Sequence, residues 1–170
     1  MKRLVFFVMI TFLIMPQLST IYANESSDVW QTTIKAVGQQ LGGTFEEDIT
    51  IGMGQKSVTV EAPPMPPPKY SVTMDLTDLK GPLLKKDIRD IAGYQEWVFV
   101  INPSGNIMPP IPRTSTLSWD ISTLGKGTFS LKKGFDGHGE TVVEDMKSID
   151  SLDITGYGKV FYTICYTPIN

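Results

Sequence analysis

The chain has 170 residues, 41% hydrophobic and 19% charged, enough for one domain with a core of its own. Its net charge of −3 and the lack of any Lys/Arg cluster exclude the electrostatic footprint that nucleic acids or anionic lipid surfaces require. A single cysteine, Cys165, excludes an internal disulfide, so the fold must rest on apolar packing.

The first residues read as an export signal. Lys2 and Arg3 precede an apolar run from Leu4 to Met15, Pro16 ends it, and Ile21-Tyr22-Ala23 supplies a small residue for cleavage. The run is shorter than the roughly 20 residues of a spanning helix. Residues 1–23 are therefore expected to be a signal peptide and 24–170 a single domain with no further membrane span. No Cys follows Ala23, so no lipid anchor is expected there. The destination would be the periplasm, the cell surface or the medium.

From Val29 to Val37 the chain alternates, with Trp30, Thr32, Ile34 and Ala36 on one face, and β-branched Thr32, Thr33 and Ile34 disfavour a helix. Gly38 and Gly42-Gly43 suggest turns. Ile49, Ile51 and Met53 then alternate, and Val58 with Val60 adds a short run. Ala62 to Pro68 is so rich in proline that a stiff connector is expected, since proline lacks the donor that a ladder needs. Tyr70 to Leu76 is another alternating strand. Leu83 to Ile91 fits a helical turn or an irregular strand equally.

Trp97, Phe99 and Ile101 face opposite to Val98 and Val100, which is the pattern of an inner strand. Asn102 to Asn106 is a turn signal, and Met108 to Pro112 a second stiff crossing. Leu117, Trp119 and Ile121 line the next strand, and Gly125-Lys126-Gly127 turns into Phe129 and Leu131. The Gly-rich loop from Lys133 to Glu140 leads to Val142 and Val143. Ile149, Leu152 and Ile154 follow, and Val160 to Tyr166 closes the chain with Cys165 as a buried thiol. Turn signals about every ten residues predict an all-β, antiparallel β-sandwich with little or no helix.

The order Trp30…Ile34-Lys35-Ala36, Asp48-Ile49-Thr50-Ile51-Gly52-Met53, the proline run to Pro68, Asp87-Ile88-Arg89, Trp97-Val98-Phe99, Leu117-Ser118-Trp119-Asp120, Gly127 to Leu131 and Phe161 to Ile164 is similar to one known type of domain. It resembles the immunoglobulin-like β-sandwich module of bacterial exported and cell-surface proteins, often found near their C-terminal ends. The likeness spans about Val29 to Tyr166. It implies a non-catalytic domain, and it informs fold more than function.

Chemistry-bearing residues are few. His138 is the only histidine, which excludes a His-pair metal site, and no G-x-S-x-G announces a serine nucleophile. Asp136, His138 and Glu140 would share a side of an extended segment, but calcium wants six to eight oxygens. Gly125-x-Gly127 lacks the third glycine and the helix of a nucleotide loop. No catalytic, metal or cofactor residues are therefore assigned. The three Trp are expected in the core, whereas Tyr94, Tyr157 and Tyr166, beside glycines or near the terminus, are expected to be exposed. With Asp136, His138 and Glu140 they form the candidate binding surface. The expected function is a non-catalytic exported module that binds an envelope protein or a polysaccharide or serves envelope structure. The alternative is a small secreted hydrolase using loop carboxylates or His138.

Overall fold

A computed structural model describes residues 29–40, 43–64, 72–105 and 111–169. Eleven strands run in order: β1 (Trp30–Gln40), β2 (Gly43–Gly54), β3 (Val58–Glu61), β4 (Thr73–Leu76), β5 (Leu84–Asp90), β6 (Gln95–Asn102), β7 (Arg113–Trp119), β8 (Thr128–Lys133), β9 (Glu140–Val143), β10 (Ser151–Gly156) and β11 (Val160–Thr167). The one helical feature among the described residues is a 3-10 turn at Ile121–Thr123, capped by the Asp120 side chain. The proline-rich stretches 65–68 and 108–110, the expected signal peptide, and Tyr70 lie outside the described residues.

Alternation becomes burial as expected. Trp30, Thr32, Ile34 and Ala36 of β1, Ile49, Ile51 and Met53 of β2, and Trp97, Phe99 and Ile101 of β6 are all buried. Leu84–Asp90 is a strand, which settles the choice left open there. Gly38 does not end β1. It lies within the strand because a Cβ there would come 3.0 Å from Ser115 Oγ and 3.2 Å from Val72 Cβ, so the glycine serves close approach and not a turn. Ile121 is also not a strand residue, since the 3-10 turn carries it to the surface.

The expected antiparallel two-sheet sandwich is not what forms. The strands make one mixed, strongly curled open sheet, a half-barrel, in the order β10-β7-β1-β2-β5-β4-β6-β11-β8-β9, with β3 on the other edge of β5. β2 and β5 pair in parallel from Thr50↔Lys86 to Gly54↔Asp90. β5 meets β4 only at Leu84↔Leu76, so the sheet passes from its first half to its second through one bridge. Alternation dictates which side chains point inward but carries no information on which strand lies alongside, and so the neighbour order stayed hidden.

The curl brings the two halves together over one core. Trp30 of β1 meets Trp97 of β6 edge-on at 5.6 Å, Phe129 of β8 at 4.9 Å and Tyr166 of β11 at 5.3 Å between ring centroids. Where the sheet changes partners, Lys85 of β5 binds Glu47 of β2 at 2.7 Å, Asp75 of β4 at 3.0 Å and the Met74 carbonyl. Burial alone would depress the lysine's pKa. The hydrogen bonds with Glu47 and Asp75 outweigh it and hold the value above that of a free lysine.

Candidate functional site

The outer face of the β6–β11–β8 ladder carries the loop Gly134–Gly139 folded back on itself. Gly134, at φ +134°, gives its N–H to the Phe161 carbonyl at 2.9 Å and accepts Thr163 Oγ1 at 3.1 Å. Asp136 Oδ1 accepts the His138 N–H at 3.1 Å, a short turn that side chains of this type favour. At the tip, the Gly137 N–H donates to Glu96 Oε2 at 3.1 Å while Lys132 Nζ donates to the Gly137 carbonyl. The Tyr94 hydroxyl donates to the other Glu96 oxygen. A Cβ at Gly137 would stand 1.9 Å from Glu96 Oε1, so a larger residue there would displace the Glu96 carboxylate from the loop tip.

Two aromatic rings flank this pinned loop. Phe135 rests edge-on against Phe161 at 5.6 Å and is still 58% exposed, and Tyr94 is 52% exposed. The Tyr94 hydroxyl is desolvated against the loop, lies beside the Cys165 thiol and is hydrogen-bonded to Glu96. Its pKa is thereby pushed well above that of a free tyrosine, and it stays a neutral donor. Cys165 itself is buried in register with Glu96 and Ser130.

Of the six residues assigned from sequence, Tyr94, Asp136 and His138 come together around this loop. Glu140 opens β9 opposite Lys133, and its charge adds to burial in raising the Tyr162 pKa. Asp136, His138 and Glu140 do not share one side of an extended segment, because Asp136 to Gly139 is a turn. No group of three or more His, Cys, Asp and Glu that could hold a metal occurs among the described residues. Tyr157 is exposed but remote. It follows β10 at the Ile101↔Val160 end of the β6–β11 ladder, whereas Tyr94 sits at the Gln95↔Tyr166 end.

Tyr166 is the correction. It is 1% exposed, with its hydroxyl bonded to the Lys126 carbonyl at 2.8 Å and its ring against Trp30 and Phe129. Inward alternation from Tyr162 through Ile164 continues to Tyr166 and overrides nearness to the terminus. Glu96 and Phe135 were the residues missed. A phenylalanine inside a glycine-rich loop was a legible signal for Phe135, but nothing local marks Glu96, which acts through a partner 41 positions away.

No protein family, curated protein or solved structure matches the chain.

Proposed function

We propose that this protein is a non-catalytic exported module that binds an envelope protein or polysaccharide through the Tyr94–Phe135 face. One observation carries the reading. Two aromatic rings stay largely exposed, Phe135 on a loop that four hydrogen bonds tie to the sheet and Tyr94 beside it with its hydroxyl bonded to Glu96, so they are presented in fixed positions and little ordering entropy would be lost on binding. The N-terminal pattern of Lys2, Arg3, an apolar run and Ala23, read as an export signal, supports the same reading. His138, whose backbone is held while its imidazole is bonded to nothing among the described residues, serves here as a contact residue.

The test is saturable capture from envelope extract on immobilised protein, comparing the wild type with Tyr94→Ala/Phe135→Ala. The expected result is a partner retained by the wild type and lost by the double variant, with thermal unfolding nearly unchanged. A wild type that retains nothing, or a double variant that retains as much, would overturn the reading.

A further inference from the structure

A second concave feature lies away from the loop, on the outer face of the other half of the sheet. Its floor is a polar row set by strand register. Lys35 of β1 lies opposite Ser118 of β7, and Ser118 lies opposite Ser151 of β10. Gln31 and Thr33 extend that floor along β1, because residues two apart share a face. The walls are the 3-10 turn, which carries Asp120 and Thr123, and Asp150 at the start of β10. The groove is open to solvent along its length and holds about 700 Å³, within the size range of small-ligand clefts.

The lining is pre-oriented. Asp120 Oδ1 accepts the Ser122 N–H at 2.9 Å and the Ser122 hydroxyl at 2.6 Å, bonds that hold this carboxyl below the usual carboxylate range and leave Oδ2 free. Asp150 Oδ1 is held by the Ser151 hydroxyl at 3.0 Å, again with one oxygen to spare. Gln31 accepts Lys86 Nζ through Oε1 at 3.2 Å, which leaves its two amide hydrogens for a ligand. Among the described residues the Lys35 ammonium makes no hydrogen bond or ion pair. Carboxylate oxygens, amide hydrogens, hydroxyls and one ammonium thus line a single groove, set among exposed aliphatic carbon of the same side chains.

We infer that this groove binds a neutral polyhydroxylated ligand, a short glycan segment. Free carboxylate oxygens accept sugar hydroxyls, and Gln31 and Lys35 donate to ring or hydroxyl oxygens. Two carboxylates against one ammonium disfavour an anionic ligand. The floor offers no aromatic platform, because the Trp119 indole is buried and bonded to the Met146 carbonyl, so no ring is available to stack on a sugar face. The inference does not depend on the Tyr94–Phe135 face.

The experiment is an amide-resolved NMR titration of the purified, isotope-labelled chain. The probes are neutral hexasaccharides of glucose, mannose, galactose and N-acetylglucosamine, and a tri-lysine peptide. At least one sugar is expected to shift the amides of Gln31, Lys35, Ser118, Asp120 and Ser151. Asp120→Asn and Asp150→Asn should each weaken that binding by about tenfold to a hundredfold. Shifts confined to the Tyr94–Phe135 face would overturn the groove while sparing the proposed function. No shifts with any sugar, or groove shifts with the peptide alone, would also overturn it.

Discussion

Gly125 lies flat against the indole of Trp30: a Cβ at that position would stand 2.1 Å from Cδ1 and 2.6 Å from Nε1. Trp30 is where the two halves of the curled sheet meet, so this glycine fixes how deeply the tryptophan seats among Trp97, Phe129 and Tyr166. Gly125→Ala is expected to cost about 1 to 3 kcal/mol by overpacking. Denaturant unfolding measures it, and a loss below about 0.5 kcal/mol would mean that the indole moves aside freely.

Trp119 is 5% exposed and donates its indole N–H to the Met146 carbonyl at 2.8 Å. Trp119→Ala should cost about 3 to 5 kcal/mol, since it removes a large core side chain. Trp119→Phe keeps most of the packing but leaves that carbonyl without its donor, and should cost about 1 to 3 kcal/mol. Equal losses for the two variants would show that the hydrogen bond dominates.

Lys85 joins β2, β4 and β5 at the one place where the sheet has a single bridge. Lys85→Met leaves buried Asp75 without its cation and is expected to cost about 1 to 3 kcal/mol at neutral pH. The folded pKa is raised, so the stabilisation is fully present below the free-lysine value of 10.5 and fades as pH rises through the folded value. The stability gap between wild type and Lys85→Met should therefore narrow above pH 10.5. A gap constant into that range would contradict the ion-pair account.

Glu96 pins the Gly134–Gly139 loop by bonding Gly137 and Tyr94, directly beside Cys165. Glu96→Ala removes a charged acceptor, which is expected to make local opening about tenfold to a hundredfold more frequent. Cys165 should then react faster with an aromatic disulfide reagent by a similar factor, under native conditions. An unchanged rate would show that the thiol is sealed by strand pairing and not by the loop.

Much of the core was legible because burial follows a period of two. Trp30, Trp97, Trp119 and the alternating isoleucines are inward in the sequence and buried in the structure. The same rule, carried to the last strand, places Tyr166 inside, where nearness to the terminus had suggested exposure; it failed at Ile121, where the strand gives way to the 3-10 turn. The loop around His138 was legible as a loop from its glycines.

The sequence by itself determined an all-β chain, the inward face of each main strand, and a glycine-rich loop carrying Asp136 and His138. Only the tertiary structure decided that β5 runs parallel to β2, that one sheet curls in place of two sheets stacking, and that Glu96 holds Gly137. The physical reason is range. Side-chain alternation is a local property of one strand, whereas strand neighbours and the contacts of a loop tip depend on residues far apart in the chain, chosen by how the whole core closes.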